Sequence, residues 1–165
     1  MNLESKVKLE SATVDKWNLL QNLLFLYAYD FSIFTDDDVS ECGKYNLGRL
    51  LRYYWNNKNP DPIIIRFDEN IAGFVMLKFV HYRSEERLSI SEFFILKKYR
   101  KKGLGTFVAE KIFDEHKCKW YLDVVISNEP ADTFWNKVIS KYTKGEYLRV
   151  TNEKKSKIIY TFSNE

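Results

Sequence analysis

The chain has 165 residues, which suits one domain with a buried core, and 45% hydrophobic with 30% charged residues marks a folded rather than a disordered protein. Its 26 basic and 23 acidic residues leave a net charge of +3, too mild to argue for nucleic acid on bulk charge. No apolar run reaches bilayer-spanning length, and Met1 to Lys6 mix charges where a secretory signal would be apolar; both predict a cytoplasmic protein without a membrane partner.

In chain order, Val7 to Ser11 reads as a first strand. Asp15 to about Asp30 is a predicted helix, with Trp17, Leu20, Leu24 and Tyr27 at three- and four-residue spacing. Asp30 to Gly43, with Asp36-Asp37-Asp38 and Glu41, reads as a loop or broken helix. Lys44 to Trp55 is a second predicted helix, and Asn56 to Pro62 a turn region. The period then changes from helical to alternating. Ile63 to Phe67 is a strand, Asp68-Glu69-Asn70 a hairpin turn, and Ile71 to Val80 the returning strand, with Gly73 the candidate for a bulge. His81 to Arg87 reads as a charged loop, and Leu88 to Leu96 as a long strand. A helix from about Gly105 to His116 follows, then a strand from Trp120 to Ile126. Asn128 to about Tyr142 is a helix with Pro130 in its first turn, where proline is tolerated. Two strands around Asn152-Glu153-Lys154 close the chain. This order predicts one α/β (α+β) domain over residues 1–165 with a mixed sheet. Cys42 and Cys118 lie far apart with no CxxC and no clustered histidine, so neither a disulfide framework nor a metal site is expected.

The most informative segment is Arg100-Lys101-Lys102-Gly103-Leu104-Gly105, between a strand and a helix. Such a junction leaves backbone N–H groups aimed at one point, and the helix dipole adds partial positive charge there. Gly103 and Gly105 let a ligand approach the backbone. Lys97, Lys98, Arg100, Lys101 and Lys102 add charge. The combination predicts a phosphate site. Position 108 is Val where a dinucleotide fingerprint needs glycine, and no Walker pattern is present. A nucleic-acid patch is disfavoured because only Tyr99 interleaves the basic run.

Arg100-x-x-Gly103-x-Gly105 is followed one strand later by Asn128-x-x-Ala131-x-x-Phe134-Trp135-x-Lys137. Together with the element order, these segments resemble the GNAT superfamily of acyl-CoA-dependent N-acetyltransferases. The resemblance implies a mostly antiparallel sheet with a splayed slot between two central strands. It implies acetyl-CoA as co-substrate, an amine acceptor, no metal and no nucleic acid, with a homodimer allowed. Phe94, Ile95 and Leu96 would offer backbone groups to the pantetheine arm. Arg100, Lys101, Lys102, Gly103, Leu104, Gly105 and the Thr106 hydroxyl would hold the pyrophosphate. Asn128, Phe134, Trp135 and Lys137 would complete the cofactor contacts.

The implied chemistry is acetyl transfer to an amine, with the Ile95 N–H as oxyanion donor. Glu92 is the candidate base, since it interrupts an apolar strand; a solvated strand glutamate is the alternative. Many members of the family carry a tyrosine acid after the position of Phe134, where this chain has Trp135. An indole N–H donates a hydrogen bond but supplies no proton at neutral pH, so packing is the better reading of Trp135. Tyr142 and Tyr99 are substitutes on paper. His81 reads as a loop histidine and His116 as a helix-end residue. Tyr29, Phe31, Phe34, Asp36, Asp37, Asp38 and Glu41 form an acidic, aromatic segment suited to a cationic acceptor, or else a solvated loop. A non-catalytic acyl-CoA-binding module is the alternative function, made plausible by the absent tyrosine.

Overall fold

The computed structural model describes residues 2–47 and 59–165. Seven strands are hydrogen-bonded in the order β1-β2-β3-β4-β5-β7-β6. They are β1 (Val7–Ser11), β2 (Ile63–Phe67), β3 (Asn70–Tyr82), β4 (Glu85–Ile95), β5 (Lys119–Val125), β6 (Leu148–Thr151) and β7 (Lys157–Ser163). The described helices are α1 (Trp17–Phe31), α2 (Leu104–Glu115) and α3 (Glu129–Tyr142). The chain forms two compact units, one of Met1–Leu77 with Glu92–Lys98, the other of Lys78–Ser91 with Tyr99–Glu165.

In the first unit, β1 pairs antiparallel with β2 from Val7↔Phe67 to Ser11↔Ile63, and β2 antiparallel with β3. Asp68 and Glu69 take left-handed backbone (φ 46° and 62°), the conformation that matches a two-residue hairpin to strand twist. α1 buries Leu20, Leu23 and Leu24, one helical face, against Ile64, Phe74, Met76 and Phe94. Each such leucine contributes roughly 1.5–3 kcal/mol by leaving water. The Tyr27 ring meets Phe74 and Phe94 edge-on, at 5.9 and 5.7 Å between centroids.

The bulge expected at Gly73 is present. Ile65 faces Gly73 while Arg66 faces Ile71, so Ala72 is the extra residue. The reason for glycine is packing: a Cβ on Gly73 would lie 1.9 Å from the Phe94 carbonyl oxygen. One residue away, the Ala72 carbonyl accepts a 2.8 Å hydrogen bond from Leu96 N–H.

In the second unit, β4 pairs parallel with β5 at Leu88↔Trp120 and Ser89↔Tyr121. β5 pairs antiparallel with β7 over seven positions, and β6 lies on the other side of β7. α2 buries Val108, Ala109, Ile112 and Phe113; α3 buries Trp135, Val138 and Ile139. Phe113 packs edge-on to Trp120 (4.9 Å) and Phe162 (5.1 Å). The Asn164 side chain ties these elements together. Its oxygen accepts from Cys118 N–H (2.9 Å) and the Trp120 indole (3.2 Å), and its nitrogen donates to the Phe113 carbonyl (2.6 Å).

One expectation needs correction. His81 to Arg87 is no loop: β3 runs through Tyr82, only Arg83 and Ser84 turn (φ 52° and 63°), and β4 begins at Glu85. The charges are compatible with strands because Glu85 pairs with both Arg87 and Lys119, each at 2.6 Å. His81 is therefore an exposed strand residue. The helix expected over Lys44–Trp55 lies from residue 48 onward outside the described residues, and 44–47 carry no helix.

Gly73→Ala is expected to lose about 3 kcal/mol or more of stability, because the added methyl meets backbone rather than a side chain that can turn away. Urea unfolding measures this; an unchanged midpoint would show that β3 and β4 do not approach so closely.

Candidate active site

The basic turn lies where the sequence places it. Lys97–Tyr99 form a single 3-10 turn after β4, and Arg100 to Gly103 lead into α2. Lys101 (φ 59°) and Gly103 (φ 80°) are both left-handed. Such alternation gathers successive N–H groups into an anion-binding concavity. The helix begins at Leu104, slightly earlier than Gly105. Phe107 N–H, bonded to the Gly103 carbonyl at 3.0 Å, is the first to close a helical turn. The N–H groups of Leu104, Gly105 and Thr106 come before that turn closes, and no side chain caps this helix end. Lys101 and Lys102 are exposed, Arg100 and Thr106 half-buried. The turn thus gathers backbone N–H groups and positive charge at one helix end, an arrangement that favours an anion.

At the end of β4 the backbone sorts its own groups. Leu96 N–H is given to Ala72, and the Phe94 carbonyl faces Gly73, both toward β3. Strand alternation directs the N–H and carbonyl of Ile95 the other way. The expectation that Phe94, Ile95 and Leu96 all offer backbone groups to a ligand is thereby narrowed, since the Leu96 N–H is already used and Phe94 faces β3. The Phe94 ring is part of the core.

Asn128 is the N-cap of α3. Its Oδ1 accepts from Ala131 N–H at 3.1 Å, which leaves its amide N–H groups outside the cap. Phe134 and Trp135 pack edge to face at 4.9 Å, and Trp135 is only 7% exposed. Lys137 is exposed on α3. The burial of Trp135 agrees with packing rather than proton transfer. Tyr142 donates to Asp114 at 2.8 Å, and Tyr99 is buried.

An arrangement that the sequence did not disclose holds the first turn of α3. Arg149 donates to the Asp132 carboxylate at 2.7 Å, and the Tyr160 hydroxyl donates to the same carboxylate. Burial raises the Asp132 pKa, but the hydrogen bonds from Arg149 and Tyr160 outweigh it and hold the carboxyl below its ordinary range. Burial first, then the bond to Asp132, pushes the Tyr160 phenol well up. Nothing in the spacing of 132, 149 and 160 signals this trio.

Glu92 is half-buried on β4 and lines a pocket of about 220 Å³ in the first unit. Asp37, Asp38, Phe31 and Tyr27 share that pocket, as does Tyr45. The structure thus brings the candidate base to part of the acidic, aromatic segment. It does not bring Asp36, Glu41, Tyr29 or Phe34 to the lining, and Tyr29 is 67% exposed. Sequence reasoning misses Tyr45, because it falls at the start of a predicted helix with nothing to tie it to Glu92 on a distant strand. Among the described residues, no three metal-binding side chains cluster, and no helix is long and apolar enough to cross a membrane.

The Acetyltransferase (GNAT) family matches residues 23–139, more than two thirds of the chain. The chain belongs to this acetyltransferase family. No curated protein matches it. Among solved structures, an acetyltransferase from Thermus thermophilus is similar at TM-score 0.71 and 16% identity, covering 96% of this chain and 97% of that one. Arabidopsis thaliana Naa50 in complex with the bisubstrate analogue CoA-Ac-MVNAL follows at 0.59 and 18%, covering 96% and 99%. PaiA N-acetyltransferase from Thermoplasma acidophilum in complex with coenzyme A stands at 0.61 and 16%, covering 95% and 98%. At these identities the likeness is one of fold.

Trp135→Ala is expected to cost about 3–5 kcal/mol by removing a buried ring from α3. Urea unfolding tests it. Stability unchanged within error would show that the ring is not packed into the core.

Proposed function

We propose that the 165 residues act as one domain that transfers the acetyl group of acetyl-CoA to a primary amine of a small molecule or peptide. Transfer is direct, within a ternary complex. The observation that carries this reading is the left-handed, uncapped turn from Lys101 to Gly105 in a chain of the GNAT family. In this reading the N–H groups there hold the diphosphate of CoA, and Arg100, Lys101 and Lys102 add charge. Asn128, Phe134, Trp135 and Lys137 bind the rest of the cofactor.

The reaction balances without a metal. The amine nitrogen forms a bond to the thioester carbon, and the carbon–sulfur bond breaks. The sulfur leaves as thiolate and takes a proton, while the nitrogen gives one up. Ile95 N–H stabilises the oxygen charge that develops on the way, a contact worth about 3 kcal/mol where such donors are preorganised. Glu92 receives the proton of the attacking amine through water. Trp135 supplies no proton, so solvent serves the departing thiolate.

Mixing protein, acetyl-CoA and a panel of amines, and following free thiol, tests the activity. Thiol release that requires an amine is expected; CoA binding with no release on any amine would favour a non-catalytic module. Gly103→Ala places a side chain on left-handed backbone, so about 1–2 kcal/mol of stability is lost with it. Its CoA affinity, measured by calorimetry well below the unfolding temperature, is expected to fall about tenfold or more, an effect of at least about 1.4 kcal/mol. Unchanged affinity would remove the turn from the site. Glu92→Gln is expected to lower kcat by about 100-fold with CoA affinity intact; an equal kcat would reject it as base.

A further inference from the structure

The pocket beside α1 carries an inference about the acceptor, and it rests on the acetyltransferase reading above. Beside Ala28, Thr35, Asn46 and Leu47, its lining brings together two kinds of group. Tyr27, Phe31 and Tyr45 contribute aromatic faces, and Asp37, Asp38 and Glu92 contribute carboxylates. No lysine or arginine occurs among the described residues that line it. The rings are held in place by the core. Tyr27 and Phe31 stack at 5.4 Å, and Tyr27 is braced edge-on by Phe74 and Phe94.

The neighbouring acidic residue Asp30 is already engaged, with Lys97 at 3.2 Å. Asp37 and Asp38 make no ion pair or side-chain hydrogen bond among the described residues, and they stand at an aromatic cavity. Carboxylates beside aromatic faces attract an organic cation by charge and by the ring quadrupole together.

The charge exceeds what a simple amine needs. The nitrogen that attacks a thioester must be neutral at that moment, so it cannot be the cation that Asp37 and Asp38 hold. A second positive centre on the same molecule can be. The volume of about 220 Å³ lies below the range of roughly 300–1,000 Å³ usual for drug-sized ligands. A short flexible chain suits it better than linked amino-sugar rings.

We propose that this pocket receives the acceptor as a small linear diamine or polyamine. Asp37 and Asp38 hold its distal ammonium beside the rings of Phe31 and Tyr45. The proximal amine lies on the Glu92 side and is acetylated: its nitrogen–carbon bond replaces the carbon–sulfur bond of acetyl-CoA, and its proton passes to Glu92.

The test compares putrescine and spermidine with butylamine, a short peptide with a free amino terminus, and kanamycin, by thiol release from acetyl-CoA. Calorimetry with CoA runs in parallel. Putrescine or spermidine is expected to exceed butylamine in kcat/KM by about tenfold or more, two exposed ion pairs being worth up to about 1 kcal/mol each. The double variant Asp37→Asn, Asp38→Asn is expected to remove most of that advantage, about tenfold. It should leave CoA affinity alone. Added salt should erode the same advantage, since the pairs are exposed. Butylamine as good as putrescine, preference for the peptide or kanamycin, or a double variant that keeps the advantage would each overturn this inference while leaving the acetyltransferase reading in place. Release from no amine at all, with CoA bound, would overturn both.

Discussion

The contact on which this protein most depends is the approach of two backbones at Gly73. The Phe94 carbonyl sits where a side chain on residue 73 would have to be, 1.9 Å from an ideal Cβ. Ala72, the extra residue of the bulge, then turns its carbonyl to the Leu96 amide. Two consecutive residues of β3 thus fix the direction of the chain from Phe94 to Leu96, where β4 ends. Because strand groups alternate, fixing Phe94 and Leu96 toward β3 turns Ile95 away from it. A missing side chain on one strand thus sets the direction of backbone groups on the next.

Charge is distributed with similar economy. The turn before α2 concentrates lysines and left-handed backbone at one helix end, where anions are favoured. In the first unit, by contrast, α1 and the loop after it present carboxylates beside aromatic rings. A net charge of +3 conceals both. Bulk charge therefore excludes little about small ligands in this chain; local sign is what matters. Trp135 illustrates the same point for chemistry. Its burial on α3 makes it part of the core, whatever chemistry is done nearby.

Much of the fold was legible because burial imposes its period on the sequence. β1 and β2 are found where expected, and α1 carries the stripe of Leu20, Leu24 and Tyr27. The stretch from His81 to Arg87 misleads because dense charge resembles irregular structure. There the strands persist, since Glu85, Arg87 and Lys119 neutralise one another across β4 and β5. The strand-to-helix turn was legible from Gly103 and the lysines, but the left-handed Lys101 was not, as lysine has no preference for that conformation. Glu92 could be placed on a strand, yet its pocket partners could not be named. Tyr45 reaches it through chain geometry rather than spacing, and the clamp of Asp132, Arg149 and Tyr160 joins residues whose separations follow no period.

The strand order also has a bearing on how the protein is made. β7 follows β6 in sequence, yet it lies between β5 and β6, and Asn164 just beyond it bonds Cys118, Trp120 and Phe113. During vectorial synthesis, amino end first, the residues of the first unit have all been added once position 98 is reached. The second unit must wait for its closing strand. Until then β5 has no β7 to pair with, and the rings of Phe113 and Trp120 lack the Phe162 that covers them. Until β7 and Asn164 have been added, the growing chain therefore carries an open sheet edge and uncovered aromatics, the features that invite aggregation or capture by chaperones.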